Sequence, residues 1–397
     1  MIPVKPHISY DGICPRCNGR LNAKSILWQG IHVCAVCRCS GCGRSIIGDF
    51  EIGQALATPY LVDLEQGKVY GEPRALSWFG EPLLTSLQRP DHNPDVSLTV
   101  EVLRTAREVV VLNCIDYLYG HALLKLLNCD NYLKNKSTVG LIVIVQKSLR
   151  WMVPEGVAEI WTVDIPFASS QRYFKRLDEL ISGESERFER IWLSRANSHP
   201  SGFDICSYTR VPRHDFSTDR FRITFVWRED RVWMDGMCGF GRATFPGLKC
   251  LGMKLQRYKI CRLFDLMRKA FPLVECTVAG LGVTGGFPTW IHDVRVDAFT
   301  EKSERALCQI YAESRLVVGV HGSNMLLPSA HAGMTLDLMP NDRWGNFAQD
   351  ILFHENDVRI ASYRYRFLPV SISISELASL ATEQISCYEP FVKQMTT

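Results

Sequence analysis

Leu316-Val317-Val318-Gly319-Val320-His321-Gly322-Ser323-Asn324-Met325-Leu326-Leu327-Pro328-Ser329-Ala330-His331-Ala332-Gly333-Met334-Thr335-Leu336-Asp337-Leu338-Met339-Pro340 is the stretch on which the fold turns. Residues 316–320 form a short, β-branched apolar run, the pattern of a strand buried on both faces of a parallel sheet. The run breaks at His321-Gly322-Ser323-Asn324, a helix-like segment follows to Gly333, and a second apolar strand covers 335–339 and ends at Pro340. That is a strand–tight turn–helix–strand unit. Gly322 lets the backbone approach a ligand closely, and Ser323 or Asn324 can cap the helix. Free N–H groups and the positive end of the helix dipole then favour a phosphate or diphosphate at the turn. A capped strand–helix turn would account for a lone His-Gly-Ser. Here three polar residues crowd a strand's carboxyl end, where open α/β sheets bind ligands.

The 397-residue chain is long enough for two domains and a small third one. A hydrophobic fraction of 46% and a charged fraction of 22% describe an ordinary globular protein. The formal net charge of +3 is too small to argue for a nucleic-acid partner. No apolar run approaches the roughly 20 residues of a membrane span. The start, Met1-Ile2-Pro3-Val4-Lys5-Pro6-His7, lacks the apolar core of a signal peptide. Fifteen cysteines in a chain of this size, six of them within the first 42 residues, fit metal binding in a reducing compartment better than disulfides. A cytoplasmic protein is expected.

Those six are Cys14-Pro15-Arg16-Cys17, Cys34-Ala35-Val36-Cys37 and Cys39-Ser40-Gly41-Cys42. Two facing C-x-x-C turns supply four thiolates, the tetrahedral set of a structural zinc ribbon. Cys14 and Cys17 make the first half. The second half is Cys34/Cys37, whose loop spacing suits a ribbon, or Cys39/Cys42, whose glycines suit a knuckle. A two-metal cluster sharing all six is a third arrangement. An all-cysteine site leaves no open coordination position, so this zinc is structural and no catalytic metal is expected. Such ribbons staple small folds or dock protein partners.

Four regions follow from the patterning: a zinc ribbon at 1–48, a β-rich extension and linker at 49–95, and α/β blocks at 96–212 and 213–397. In the first block, strands are expected at 108–112, 140–145, 158–163 and 190–193, with helices at 120–133 and 170–181. In the second, strands fall at 221–227 and 274–278, helices at 255–270 and 301–314, an extended segment at 358–367 and a closing helix at 374–384. Alternation of this kind argues for doubly wound parallel sheets. The expected fold is therefore α/β, two Rossmann-like domains facing a cleft, preceded by a small Cys-rich β module.

Arg228 and Arg231 lie just past the 221–227 strand, where planar guanidinium forks can hold a diphosphate or can pair with Glu229 and Asp230. Asp337 can meet a ribose hydroxyl or simply close a sheet end. In the first block His121 or Asp116 can serve as a general base, and His121 can also be a structural residue of a first helical turn. Gly280-Leu281-Gly282-Val283-Thr284-Gly285-Gly286 suggests a mobile loop and lacks the spacing of a dinucleotide fingerprint. Trp344-Gly345-Asn346 and Tyr363-Arg364-Tyr365-Arg366 can stack on a base or sugar, or belong to the core.

The segments Phe225 to Arg231, Ala312 to Asn324 and Leu336-Asp337-Leu338 resemble glycosyltransferase family 61, whose His-Gly motif lies between an Arg-rich strand end and an acidic strand. Tyr119-Gly120-His121-Ala122-Leu123-Leu124 is similar to that family's aromatic-Gly-His helix start. The resemblance spans 108–340 and implies a GT-B fold. It implies that Arg228 and Arg231 contact a nucleotide diphosphate, and that His321, Gly322, Ser323 and Asn324 line the donor site. Two features depart from it. Ser323-Asn324-Met325-Leu326-Leu327 replaces the usual Leu-Thr-Asn tail, and the cysteine-rich start is foreign to the best-known members.

The expected activity is thus transfer of a sugar from a nucleotide-sugar donor to an unidentified acceptor, inverting and metal-independent. The rival is a catalytically silent nucleotide- or nucleotide-sugar-binding protein whose ribbon docks a protein partner. A nucleic-acid binder led by the ribbon is weaker, because Arg16, Arg20, Lys24, Arg38 and Arg44 have no aromatic platform among them.

Overall fold

The computed structural model describes residues 1–52, 59–89, 96–134, 139–196, 200, 202–234, 246–352 and 355–396, excluding the side chains of 246–249. The expected linker at 90–95 lies outside the described residues. The chain divides into two compact units, Met1–Asp204 and Ile205–Thr397. The expected join near residue 212 thus falls inside the second.

The first unit holds strands β1 (Ile2–Lys5), β2 (Gly12–Ile13), β3 (Arg20–Trp28), β4 (Val33–Cys39), β5 (Ser45–Asp49), β6 (Tyr60–Asp63), β7 (Lys68–Gly71), β8 (Leu98–Val102), β9 (Glu108–Asn113), β10 (Gly140–Gln146), β11 (Glu159–Val163) and β12 (Arg190–Leu193). Strands β2 to β7 form one antiparallel meander in chain order, so the expected ribbon and its β-rich extension are a single sheet. The second sheet runs β1-β12-β9-β10-β11-β8. Its inner four strands are parallel, and β1 and β8 close its edges antiparallel. Trp28, Ala35, Cys37 and Phe50 of the meander share a core with Val109, Val111, Ile142, Ile144 and Leu177 of the α/β part. At roughly 1.5–3 kcal/mol per buried large aliphatic side chain, that shared core welds the cysteine module to the sheet.

In the second unit β13 (Arg222–Trp227), β14 (Glu275–Gly280), β15 (His292–Asp293), β16 (Ser314–Val320), β17 (Met334–Met339) and β18 (Tyr365–Pro369) form one sheet ordered β15-β14-β13-β16-β17-β18. All five pairings are parallel. Counted within the unit the order is 3-2-1-4-5-6, so its topological switch point lies between β13 and β16. Side chains alternate between two covered faces, so the inner strands β13, β16 and β17 are buried almost throughout and read as near-continuous apolar runs. Ile223, Phe225, Leu316, Val318 and Val320 pack on one face with Ile260 and Phe264 of helix Pro246–Ala270 and Leu377 of helix Ile374–Ser386. Val226 and Val317 pack on the other with Leu307 and Tyr311 of helix Glu301–Ala312.

Some elements differ from expectation. The 120–133 helix is broken into Tyr119–Leu126, a 3-10 turn at Leu127–Cys129 and Asp130–Leu133. Residues 358–364 are helical, because Asp357 caps the backbone N–H groups of Arg359 and Ile360; only β18 is extended. No helix among the described residues is long and apolar enough to cross a membrane.

Candidate functional site

The turn after β16 is the meeting point of the second unit. Gly322 has φ +150, and a Cβ there would lie 2.0 Å from Arg228 Nη1 and 3.1 Å from Arg231 Nη1. The φ favours glycine, and a side chain there would also have to push the two guanidinium groups away from the backbone. Arg228 Nη1 donates to the His321 carbonyl (3.2 Å) and to Asn324 Oδ1 (2.6 Å), and Arg231 Nη1 donates to the same carbonyl. Arg228 also pairs with Asp230 through Nε (2.7 Å) and Nη2 (2.5 Å). The segment that carries both arginines is held at its two ends by Gln256, fully buried, which donates to the Arg228 carbonyl and accepts from the Trp233 N–H.

Neither Ser323 nor Asn324 caps the helix: the turn is a 3-10 segment, Ser323–Met325, entered at Gly322 with no side-chain cap. The Asn324 carbonyl is taken by Arg228, which corrects the expected capping role. His321 is 0% exposed, with Nδ1 2.6 Å from Asp337 Oδ2 and Nε2 3.3 Å from Asp350 Oδ2. Asp337, also 0% exposed, therefore faces the imidazole across β16–β17, which differs from the expected ribose contact. Burial pushes its carboxyl up, and the His321 hydrogen bond only partly reverses this.

Charge at the turn is unbalanced in an informative way. Burial lowers the pKa of Arg231, and the like charges of Arg228 and Arg343 lower it further; Asp230 and Asp350 oppose them. Burial raises Asp230, but pairing with Arg228 more than offsets this and leaves its carboxyl below the ordinary range. Among the described residues, none accepts a backbone hydrogen bond from the N–H groups of Gly322, Ser323 or Asn324. Trp344 (42% exposed) and Phe347 (53% exposed) stack on each other on the segment that carries Arg343 and Asp350. Tyr363 instead stacks on Phe391, and Tyr365 is buried.

The glycine-rich segment is tied down. A Cβ at Gly280 would meet the Trp227 carbonyl at 2.3 Å, Glu229 accepts from the Thr284 N–H, and Arg295 donates to the carbonyls of Thr284 and Gly285. Gly280 serves close backbone approach, and the hydrogen bonds to Thr284 and Gly285 hold the segment where a mobile loop was expected.

In the first unit Asp116, 0% exposed, follows β9. Its Oδ1 accepts from the N–H groups of Tyr117 (2.8 Å) and Leu118 (3.2 Å), and its Oδ2 is 2.9 Å from Lys125 Nζ. Burial pushes this carboxyl up, but Lys125 and His121 outweigh it and hold it below the usual range. His121 Nδ1 lies 3.4 Å from Asp116 Oδ1, and its side chain is 25% exposed. A carboxylate thus stands behind an imidazole that reaches the surface, near enough to bias it by charge, although Nδ1 makes no hydrogen bond among the described residues in this geometry.

The cysteines resolve cleanly. Sγ atoms of Cys14, Cys17, Cys39 and Cys42 all lie within 4.8 Å of one another, with Cys17–Cys39 at 3.3 Å and Cys14–Cys42 at 3.8 Å. A tetrahedral zinc with bonds of about 2.3 Å sets sulfur–sulfur edges of about 3.8 Å, so the set fits a metal ion. Both knuckles close in the same way. Asn18 (φ 57) and Gly43 (φ +72) follow the second cysteine in left-handed conformation, and their N–H groups donate to the Cys14 and Cys39 carbonyls. Added Cβ atoms at Gly19 and Gly41 would press on the Cys17 sulfur at 3.2 and 3.1 Å. Cys34 and Cys37 are corrected: both lie in β4, where residues three apart point to opposite faces. Cys34 contacts the Tyr60 hydroxyl at 3.7 Å and Cys37 joins the apolar core.

Lys125, Asn113, Gln256 and Asp350 escaped the sequence reading. Lys125 alone left a trace, a single cation within Ala122-Leu123-Leu124-Lys125-Leu126-Leu127. No family model and no curated protein matches the chain. One solved structure, described as "Crystal structure of GtfA/B complex", is similar at 11% identity and a TM-score of 0.26, covering 96% of this chain and 64% of that one. A likeness that low carries neither fold nor function.

Proposed function

We propose that the protein is a glycosyltransferase of GT-B type that uses a nucleotide-sugar donor and inverts configuration without a catalytic metal. The observation that carries this reading is the coincidence of Arg228, Arg231 and the Gly322 turn at the β13/β16 switch point. Open α/β sheets place ligands there. Arg231 is disfavoured by burial and by two like charges, a cost that a bound diphosphate would remove. Arg228 and the His321–Asp337 pair act from behind, holding the turn, while Ser323, Asn324 and Asp350 border it. As the sugar leaves, charge grows on the diphosphate, and fixed guanidinium donors stabilise it. In this reading the base stacks on the exposed Trp344–Phe347 pair. On the first unit His121, oriented by Asp116, takes the acceptor proton; Asp116 itself is too buried and too firmly paired with Lys125 to do so.

The four-cysteine site is read as structural zinc held by Cys14, Cys17, Cys39 and Cys42. Bound there, the metal would pin two hairpins and take no part in the reaction.

A thermal-shift screen of the zinc-loaded protein against UDP-, GDP-, ADP-, CMP- and dTDP-sugars tests the donor site. One nucleotide class should raise the melting temperature, and Arg231→Ala should weaken it about 10- to 100-fold, as loss of a charge-assisted contact does. A folded protein that responds to none of them overturns the reading. The silent-binder alternative draws on Arg228 being engaged by Asp230. His121→Ala separates the two, since an enzyme should keep donor binding and lose transfer.

A further inference from the structure

The β3–β4 hairpin spans the first unit. At one end Cys39 closes β4 and joins the four-cysteine site. At the other, residues 28–31 are bonded to the α/β sheet and its flank. The Trp28 N–H donates to Asp178 Oδ1 (2.8 Å), Gln29 Nε2 to the Gln171 carbonyl (2.5 Å) and the Ile31 N–H to the Ser170 carbonyl (3.3 Å). Asn113, the last residue of β9, donates from Nδ2 to the Gly30 carbonyl at 2.7 Å. Gly30 has φ +134, and a Cβ there would meet the Ser170 carbonyl at 2.9 Å. The tip thus sits where no side chain fits.

From the tip two lines of contact converge on His121. The polar line is unbroken as far as Asp116. Asn113 Oδ1 accepts from the Ile115 N–H (3.1 Å), and the Ile115 carbonyl accepts from Lys125 Nζ (2.6 Å). Lys125 Nζ then stands 2.9 Å from Asp116 Oδ2, whose Oδ1 is 3.4 Å from His121 Nδ1. Asn113, Ile115, Lys125 and Asp116 are all buried. The aromatic line runs by ring centroids from His32 to Phe79 (4.5 Å), Tyr117 (6.4 Å) and His121 (5.9 Å). Satisfying buried polar groups would explain any one of these contacts. It does not explain why both lines start at one hairpin tip and end at one partly exposed imidazole.

We propose that the cysteine module is a positioning device for His121. Its metal keeps β3 and β4 in register, and the tip, acting through Asn113 and Lys125, fixes the Asp116 carboxylate. That carboxylate, 3.4 Å from Nδ1, favours by its charge a proton on Nδ1 and leaves the lone pair outward on Nε2. Asn113 and Lys125 are positioning residues. The physical chain is short at each step. A one-residue slip of β4 against β3 would reverse every side chain and move Gly30 off Asn113. A buried lysine keeps its carboxylate partner ionised and in place, because either charge alone is costly. A carboxylate at Nδ1 then selects the tautomer opposite to the one free imidazole prefers. The consequence for sugar transfer rests on the proposed role of His121, but the geometry does not.

The test reads the ring directly. Full-length, metal-loaded protein is labelled with 15N-histidine, His121 is assigned by loss of its signals in His121→Gln, and ring nitrogen shifts are recorded at pH 8. The wild type should hold the Nδ1–H tautomer. Asn113→Ala, Lys125→Met and chelator-stripped wild type should each move His121 toward the free-imidazole mixture, while the His321 signals of the second unit stay in place. Lys125→Arg, which keeps the charge, should retain the wild-type tautomer. If Asn113→Ala does not fold, Asn113→Ser takes its place. A free-imidazole mixture in the loaded wild type overturns the proposal. So does an unchanged tautomer in folded Asn113→Ala and in stripped protein. No nucleotide or acceptor enters the measurement, so its failure is distinct from failure of the transferase reading.

Discussion

Gly322 shows how one residue can hold two functions. Its φ of +150 strains any side chain, and an added Cβ would force the Arg228 guanidinium to shift. Gly322→Ala should lose about 1–3 kcal/mol from the strained backbone alone, read as a lower urea midpoint, and should displace both arginines so that nucleotide binding falls with it. Asp116 offers a residue-scale test with a defined pH sign. Its carboxyl lies below the usual range in the folded chain, so its contribution to stability is present above the unfolded pKa of about 3.9 and disappears as pH falls through the folded value. At pH 7 Asp116→Asn leaves Lys125 charged and buried, at a cost of about 3–5 kcal/mol. The gap between variant and wild type should close as unfolding is measured toward pH 3; a gap independent of pH would refute the pairing.

At the scale of elements, the two cysteine turns and the β4 strand separate residues that look alike in sequence. Cys39→Ser removes a ligand from the four-cysteine set and should abolish stoichiometric metal by elemental analysis. Cys37→Ser leaves all four ligands and should keep the metal, at roughly 1–3 kcal/mol for a hydroxyl in an apolar core. Equal loss in both variants would mean that the site is built differently. The distinction was partly legible. Asn18 and Gly43 follow the metal-binding pairs and tolerate left-handed backbone, whereas Arg38 follows Cys37. Helix Val358–Arg364 was misread as extended because its β-branched start and alternating Tyr363-Arg364-Tyr365-Arg366 imitate a strand. One capping carboxylate, Asp357, decides otherwise.

At the scale of the whole molecule, the two units carry different dependences. Chelation should lower the melting of Met1–Asp204 and leave Ile205–Thr397 unmoved, because the described core of the cysteine module is shared with the first unit's α/β sheet. A nucleotide at a hundredfold excess over Kd should add about 2.7 kcal/mol to the second unit, several degrees in melting temperature for a unit of this size. Calorimetry with chelator and with nucleotide tests both; a single transition moved equally by either ligand would contradict the separation.

The sequence by itself determined the α/β class, the strand–turn–helix–strand unit after residue 314 and the cysteine turns. Each rests on local causes, namely apolar period, glycine conformation and ligand spacing. Only the tertiary structure decided which four cysteines converge, because a strand and a turn send C-x-x-C sulfurs in different directions. Only it placed β13 beside β16, bringing Arg228 and Arg231 onto a carbonyl some ninety residues away. Likewise Asn113 and Asp350 have no sequence signature, and Lys125 shows only as a lone cation in an apolar run, since the role of a buried polar residue is set by the partner that folding delivers to it.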